Sequence, residues 1–204
     1  LDHDASSIME GQVEFVANSG IVTINEAPSD ILLSGLVVDE NADTLVPVAS
    51  LSTVDGNLVD SHSYSFVAGE GDSDNDRFSI HDNQIFLNQA ADYETQSLYT
   101  VRLSSTDAAG LNIEKVVSFS VNDINEAPSD LIVSHDSFNE NTKRGISVAT
   151  LSALDADVDD THIYSLVSGE GDLDNDSFLI EDNRLIINTI ADFESKSSYD
   201  LRIK

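Results

Sequence analysis

The stretch Asp123-Ile124-Asn125-Glu126-Ala127-Pro128-Ser129-Asp130 has a near copy one hundred residues earlier, at Thr23-Ile24-Asn25-Glu26-Ala27-Pro28-Ser29-Asp30. Laying residues 24–103 on residues 124–203 needs no gap and gives 38 identities in 80 positions. Because self-similarity at a fixed period marks repeated structural units, the sequence predicts two copies of one domain, joined by the quoted stretch.

The repeat also sets the expected domain boundaries. We expect the first copy to cover 26–125 and the second 126–204, while 1–25 is the end of a preceding repeat and its linker. A chain of 204 residues has room for two ordinary domains of about 100 residues each. Its hydrophobic content of 40% is enough to build packed cores.

Each copy consists of short runs of alternating apolar and polar residues between turns rich in Gly, Asn, Asp and Ser. This pattern is typical of β-strands and lacks a sustained helical period. In the second copy we expect strands near 131–134, 146–154, 162–167, 177–180, 184–190 and 198–203. Six or seven antiparallel strands in about 100 residues predict an all-β fold, with two tandem Greek-key β-sandwiches.

Alternation along these strands assigns the same kinds of side chain to the buried face in both copies. In the first copy they are Tyr64, Phe66, Phe78, Ile80, Ile85, Leu87, Tyr99, Val101 and Leu103. In the second copy they are Tyr164, Leu166, Phe178, Ile180, Leu185, Ile187, Tyr199, Leu201 and Ile203.

The two copies differ at their ends. After Leu103 the first copy continues through a turn at 105–110 into a strand from Ile113 to Val121, whereas the second copy stops at Lys204. The second sandwich is therefore predicted to lack its last strand. Residues 11–24 stand where the last strand of a preceding copy would run, and we expect a strand there. One hypothesis is strand exchange, in which this segment pairs with the open edge of the second domain in a neighbouring molecule.

The formal net charge of −29 arises from 38 Asp and Glu against 9 Lys and Arg. Such a surface repels nucleic acid and anionic membranes, so neither is an expected partner. Halophilic adaptation gives a similar excess but spreads the acids over exposed faces, whereas here they occur in short repeated clusters. The clusters favour a bound metal. The absence of cysteine excludes disulfides and thiolate metal sites, and no apolar run reaches the roughly 20 residues that span a bilayer.

The acidic clusters offer the oxygen ligands that Ca²⁺ prefers, at about 2.3–2.6 Å and six to eight in number. Carboxylates two residues apart in an extended segment can point the same way and hold one ion. The alternative for any single cluster is an ordinary turn, since Asp, Asn and Ser hydrogen-bond to their own backbone. The repetition of the clusters, with an acidic linker between them, favours the metal. The candidate residues are Glu40, Asp92, Glu94, Asp123, Asn125, Glu126, Asp155 and Asp157.

Four runs together resemble the cadherin repeat: Ala153-Leu154-Asp155-Ala156-Asp157, Ala191-Asp192-Phe193-Glu194, Ser105-Thr106-Asp107-Ala108-Ala109-Gly110 and Asp123-Ile124-Asn125-Glu126-Ala127-Pro128. The version with Gly-Glu-Gly-Asp-x-Asp-Asn before a Phe is similar to cadherin-like repeats in large secreted bacterial adhesins. The resemblance covers nearly the whole chain from about Asn25 onward. It implies a cadherin/immunoglobulin-like sandwich, an extracellular location and a role in cell adhesion.

In that family, Ca²⁺ ions bind between successive repeats, and the resemblance implies that the eight candidate residues hold them at the junction. Asp55, Asn57 and Asp107 would instead serve a junction above the first domain. There Asn57 replaces the second Asp of its pair and Thr23 replaces the first linker Asp. The upper junction is therefore expected to bind calcium weakly or not at all.

A second candidate metal site is the acidic turn with Asp72 and Asp74, repeated at Asp172 and Asp174. Its opening resembles an EF-hand loop, but the sixth position is not Gly and the twelfth is not Glu, which excludes an EF-hand. A tight acidic turn before the next strand is the alternative.

We therefore predict a calcium-dependent adhesion module of a multi-repeat extracellular adhesin, in which Ca²⁺ stiffens the tandem array. An enzyme is not expected, because the acids repeat in both domains and no nucleophile elbow or phosphate loop appears. The expected partners are other adhesin molecules, bound homophilically, or a cell-surface polysaccharide. The alternatives are a calcium-dependent carbohydrate-binding module, for which no Trp is available, and a passive spacer.

Overall fold

The computed structural model describes residues 12–15 and 22–204, with side chains from Ile24 onward. The chain divides between Ile124 and Asn125 into two compact units, here called unit 1 and unit 2. The strands are β1 (Gln12–Phe15), β2 (Val22–Asn25), β3 (Asp30–Leu33), β4 (Val37–Asp39), β5 (Ala49–Val54), β6 (His62–Phe66), β7 (Phe78–His81), β8 (Gln84–Leu87), β9 (Leu98–Asp107), β10 (Asn112–Asn122), β11 (Asp130–Val133), β12 (Ser147–Leu154), β13 (Phe178–Glu181) and β14 (Arg184–Ile187). Short 3-10 turns precede β7 and β13, at Asn75–Arg77 and Asn175–Ser177.

The first two strands form an antiparallel pair in which Gln12 lies opposite Asn25 and Phe15 opposite Val22. The sequence predicted one strand over 11–24, and that prediction is wrong. Asn, Ser and Gly are depleted in strands, and Asn18-Ser19-Gly20 stand in the middle of the predicted strand, between β1 and β2.

Unit 1 is a complete β-sandwich. One sheet has the order β4-β10-β9-β6 and the other β3-β5-β8-β7. Most neighbours are antiparallel, but β10 pairs with β4 in parallel and with β9 antiparallel, so β10 lies inside its sheet. The alternation in β10 decides which of its faces packs on the core, because Val117, Phe119 and Val121 are buried while the residues between them are exposed.

Aromatic rings fill the centre of this core, between the two sheets. The ring of Phe119 stacks on that of Phe78 with 5.1 Å between centroids, and Tyr99 meets Phe78 edge to face at 5.7 Å. Phe119, Val101 and Leu103 have no exposed surface. The predicted core positions of the first copy are thus buried or packed against the buried cluster.

Unit 2 has one sheet of the same kind, with the order β11-β12-β14-β13. The strands predicted at 162–167 and 198–203 are absent from the described residues, where a single bridge joins Leu166 to Ile203. In unit 1, β6 pairs with residues 103–107 of β9, and β9 also pairs with nine residues of β10; residues 125–204 hold counterparts of only two of those five β9 residues and of none of β10. The fold is therefore all-β, as predicted, with two tandem domains of the Greek-key β-sandwich type. In the second domain the last strand is lacking and the second sheet is reduced to a single bridge.

The core of unit 2 is correspondingly smaller. Phe178, Leu185 and Ile187 are buried, but Tyr199, Leu201 and Ile203 are only partly so. Their counterparts in unit 1, one hundred positions earlier, are Tyr99, Val101 and Leu103, with exposed fractions of 6%, 0% and 0%. In the described part of the chain, no helix is both long and apolar enough to cross a membrane.

Candidate metal centre

The first acidic cluster of unit 1 consists of Glu40, Asp92 and Glu94, whose carboxylate oxygens lie within 4.8 Å of one another. Glu40 follows β4 directly, and the other two precede β9. The sequence named all three as ligands, and the structure brings them together within one domain.

Glu40 is buried, and both of its carboxylate oxygens accept backbone hydrogen bonds. Its Oε2 accepts the N–H of Tyr93 at 2.9 Å, and its Oε1 accepts the N–H of Ile124 at 2.7 Å. Asn41, in the left-handed region at φ 56°, turns the chain immediately after it. Glu40 therefore fixes the segment that carries Asp92 and Glu94 to the start of the linker.

The donor set of this cluster fits a hard cation. It contains only carboxylate oxygens, which suit Ca²⁺, and no His or Cys that would favour Zn²⁺. Three like charges this close repel one another, and a divalent cation offsets that repulsion. Asp92 and Glu94 are exposed, so the cluster is accessible to an ion.

A second cluster of unit 1 consists of Asp55, Asp60 and Asp107, again with oxygens within 4.8 Å. Asp60 was not predicted from the sequence. Its Oδ2 atom is buried and has no hydrogen-bond partner among the described residues. A buried oxygen without a donor is costly, and a bound cation would satisfy it.

Asp107 is 5% exposed and is held by several donors. Its Oδ2 accepts Asn25 Nδ2 at 2.8 Å, while its Oδ1 accepts the N–H groups of Ala109 and Leu111. Burial alone would raise the pKa of Asp107, but these hydrogen bonds outweigh it and hold the pKa below its ordinary value. The carboxylate is therefore ionised and oriented at neutral pH.

Asn57 makes contacts different from those of an acid in its place. Its Oδ1 accepts the N–H of Glu26 at 2.8 Å, and its Nδ2 donates to the carbonyl of Ile24 at 3.2 Å. Its side chain thus ties the linker to unit 1. The structure unites the predicted Asp55 and Asp107 with Asp60, and places Asn57 against the linker.

In unit 2, an aspartate makes the contact with the linker that Asn57 makes in unit 1. Asp157 Oδ2 accepts the N–H of Glu126 at 2.8 Å, and Asp155 Oδ1 accepts the N–H of Asp157 at 3.3 Å. Asn125 Nδ2 donates to the carbonyl of Glu126 at 2.8 Å. These four predicted residues of the junction lie side by side in unit 2, and Asp123 follows β10 in unit 1.

In each unit a histidine contacts the carboxylate of the first residue of the pair, which is Asp55/Asn57 in unit 1 and Asp155/Asp157 in unit 2. Asp55 Oδ2 lies 2.8 Å from His62 Nε2, and Asp155 Oδ2 lies 2.7 Å from His162 Nε2. Both carboxylates are 4% exposed. Neither histidine is among the site residues predicted from the sequence. The signal that could have identified them is their identical spacing of seven residues from the acid in both repeats.

The carboxylates of the acidic turns accept hydrogen bonds from other groups of the protein. Asp72 Oδ2 accepts the N–H of Gly69, and Asp172 Oδ2 that of Gly169. Asp74 Oδ2 accepts the N–H of Thr100, and Asp174 is bound by the N–H of Asp200 and by Lys196 Nζ at 2.7 Å. These contacts match the alternative interpretation, a tight acidic turn, and the metal site there stays a prediction.

No family model matches the chain. Protocadherin Fat 4 of Mus musculus is 30% identical over 152 residues, which is 70% of this chain and 3% of that protein. The structure of human protocadherin-24 EC1-2, form II, is 21% identical, with 88% of this chain and 86% of that chain covered and a TM-score of 0.66. Protocadherin gamma B2 extracellular cadherin domains 3-6 are 17% identical, with 85% and 42% covered and a TM-score of 0.59. The chain therefore has the fold of tandem cadherin domains.

Proposed function

We propose that the chain is a calcium-dependent cell-adhesion module of an extracellular multi-repeat protein. The observation that carries the proposal is the Glu40, Asp92 and Glu94 cluster, which Glu40 ties to Ile124 where the linker begins. A cation bound by this cluster would act on the linker through the same carboxylate. The fold and the curated relative, a protocadherin, support an adhesive and extracellular role.

The proposed junction draws on both repeats. Unit 1 contributes its first cluster and Asp123, and unit 2 contributes Asn125, Glu126, Asp155 and Asp157. That the two sets hold the same ions is an inference from the resemblance. Calcium would offset the negative charge of the linker and fix the angle between the repeats, because both repeats would then share ligands. This role is structural, with no chemical step.

The cluster of Asp55, Asp60 and Asp107 is proposed as a second, weaker calcium site. It supplies three carboxylates from unit 1, but Thr23 and Asn57 stand where the central junction has Asp123 and Asp157. Fewer charged ligands lower the affinity of a calcium site. We therefore expect calcium to fill the central junction first.

We propose homophilic binding to other copies of the adhesin as the adhesive contact. Of the described Tyr and Phe side chains, only Tyr93 and Phe193 are exposed, one in each repeat. A single aromatic ring per repeat offers little platform for a sugar, so glycan binding has less support. The origin in a large secreted bacterial adhesin is a proposal that rests on the Gly-Glu-Gly-Asp motif alone.

Calcium titration calorimetry on the full chain tests this function. Wild type should bind calcium, and Asp123→Ala should lose or weaken the tighter binding, while Asp136→Ala, an exposed acid outside both clusters, should bind as wild type does. Beads coated with the wild-type chain should aggregate with calcium and disperse with chelator. Equal binding heats for wild type and Asp123→Ala would contradict the junction, and calcium-independent aggregation would contradict the adhesive role.

A further inference from the structure

Strand β6 is the free edge of a complete sheet in unit 1. The sheet has the order β4-β10-β9-β6, so one side of β6 pairs with β9, and no strand among the described residues pairs with the other side. With five residues, β6 is the longest of the four edge strands of unit 1, since β4 has three and β3 and β7 have four each. An unpaired edge of this kind is a ready site for another strand.

Alternate residues of β6 direct their backbone groups to the free side. The N–H of Val67 donates to the carbonyl of Arg102 in β9 at 3.0 Å, so the backbone groups of Ser63 and Ser65 also point to β9. The residues whose backbone groups point outward are His62, Tyr64 and Phe66. Among the residues that the structure describes, no loop or side chain bonds to these outward groups.

The other edges of unit 1 are partly closed. In β3 the carbonyl of Ile31 accepts Lys115 Nζ at 2.7 Å, and in β7 the carbonyl of Phe78 accepts Asn88 Nδ2 at 3.1 Å. Strand β4 pairs over only three residues and ends at Asp39. Covered carbonyls, charges and very short strands discourage pairing with another chain, and β6 has none of these features.

Side chains hold β6 in place at its middle and its end. The hydroxyl of Tyr64 lies 2.8 Å from that of Thr53, which in turn lies 2.6 Å from that of Ser105. Just past the strand, Asn75 Nδ2 donates to the carbonyl of Val67 at 2.9 Å. A strand that is already ordered loses little conformational freedom when a partner pairs with it, which favours binding.

The charge pattern around β6 favours a partner that is itself acidic elsewhere. Residues 61–69 contain no Asp, Glu, Lys or Arg, although the chain carries a net charge of −29. Two copies of so acidic a chain repel each other least where each is uncharged. The first acids on either side are Asp60 and Glu70, and a calcium ion held by Asp60 would lower the repulsion at that end.

We propose that β6 pairs with β6 of a second copy of the chain, antiparallel and about a two-fold axis at Tyr64. This register places His62 opposite Phe66 of the second copy and Tyr64 opposite its own equivalent, so every outward backbone group is paired. The exposed Ser63 lies opposite Ser65 of the second copy, where two hydroxyls can hydrogen-bond across the strands. The inference rests on the proposed homophilic binding and names its contact.

Disulfide trapping of the full chain tests the register. The chain has no cysteine, so an introduced cysteine can bridge only to another introduced cysteine. Directly opposed residues would lie about 4.5 Å apart between Cα atoms, within reach of a disulfide, whereas diagonal neighbours at about 7–8 Å are too far apart. A mixture of Ser63→Cys and Ser65→Cys, with calcium and oxidised glutathione, should therefore form linked dimers on non-reducing electrophoresis. Either variant alone should form few.

A charge pair gives a second readout. A chain with both Ser63→Glu and Ser65→Glu should dimerise at least about tenfold more weakly than wild type in sedimentation, because carboxylates would stand opposite carboxylates. Mixing it with a chain that carries Ser63→Lys and Ser65→Lys should restore the dimer. The control carries Ser50→Glu and Ser52→Glu, at exposed positions of β5 inside the other sheet, and should dimerise as wild type does.

The outcomes separate this contact from the proposed function. Linked dimers formed equally by each cysteine variant alone, or none formed by the mixture, would overturn the edge contact. Coated beads that aggregate in calcium as well with Ser63→Glu and Ser65→Glu as with wild type would overturn it too, and would leave the adhesive function in place. Wild-type beads that do not aggregate in calcium would contradict the proposed function, and the edge contact would fall with it.

Discussion

Asp155 is a buried carboxylate whose two oxygens have separate donors. His162 Nε2 lies 2.7 Å from Oδ2, and the N–H of Asp157 lies 3.3 Å from Oδ1. Because the carboxylate is 4% exposed, water cannot replace a lost donor. At the residue scale, the histidine is therefore a positioning residue for a predicted calcium ligand.

Replacing this histidine should leave Asp155 without its ring donor. We expect His162→Leu to lower the free energy of unfolding by about 1–3 kcal/mol in the presence of chelator, the cost of a buried group without its partner. Urea denaturation measures the change. His81→Leu is the matched control, since His81 is exposed and rests against Phe86. Equal effects of the two substitutions would contradict the role of His162.

Asp74 makes the stability of the fold depend on pH. Burial alone would raise the pKa of this carboxyl, but hydrogen bonds from the N–H of Thr100, from Gln96 and from Ser73 hold the pKa below its ordinary value. A group whose pKa is lowered on folding stabilises the fold above its unfolded pKa, about 3.9 for Asp, and loses that contribution as pH falls through the folded pKa.

Asp74→Asn should therefore lower the stability at pH 7 by about 1–3 kcal/mol, and should flatten the loss of stability below about pH 4. Denaturant midpoints between pH 2 and 7 measure both effects. Asp76→Asn, an exposed acid in the same turn, is the control and should follow the wild-type profile. A parallel shift of the Asp74→Asn profile at every pH would contradict this interpretation.

At the scale of elements, β10 holds unit 1 together because it packs into the core and pairs on both edges. Phe119→Ala should cost about 3–5 kcal/mol, as expected for a large buried side chain whose cavity cannot collapse. The same truncation at Val116, which is 46% exposed, should cost much less. Calorimetry of the two variants measures the difference, and comparable losses would show that β10 is not part of the core.

The sequence predicted which segments have the alternating pattern of a strand, but not which of them pair with a neighbouring strand. Alternation located β11, β12 and β13 to within about one residue, while β14 ends at Ile187 instead of continuing to residue 190. The predicted strands at 162–167 and 198–203 failed, because a strand also needs hydrogen bonds from its neighbours. Residues 125–204 hold counterparts of only two of the five β9 residues that pair with β6, and of none of β10.

Some of the candidate site residues could be identified from the sequence, and others are revealed only by the fold. Repetition and spacing identified Glu40, Asp92 and Glu94, which the structure places together. Asp60 and His162 were missed, because an acid in a turn and a histidine at the start of a strand are common without any site. Only the tertiary fold shows that Asp60 faces Asp55 and Asp107 and that His162 faces Asp155.

At the scale of the whole molecule, the net charge of −29 can be offset by screening or by bound ions. Screening depends on ionic strength alone and acts on all exposed acids, whereas a calcium site depends on the identity of the cation. Most of the 38 acids lie outside the two clusters and are subject to screening, whereas a calcium ion would act only on the acids that hold it. Calcium and an inert salt at matched ionic strength separate them.

We expect two melting transitions in chelator, that of unit 2 first because its second sheet is not formed. Calcium at 100 times its dissociation constant should add about 2.7 kcal/mol per independent site to the free energy of unfolding, and should therefore raise the melting temperatures. NaCl or Mg²⁺ at the same ionic strength should raise the melting temperatures less. The variant Phe119→Ala assigns the transitions, since it should lower only that of unit 1. If NaCl stabilises both units as much as calcium does, the acids act through screening alone and the calcium sites proposed in both units are wrong.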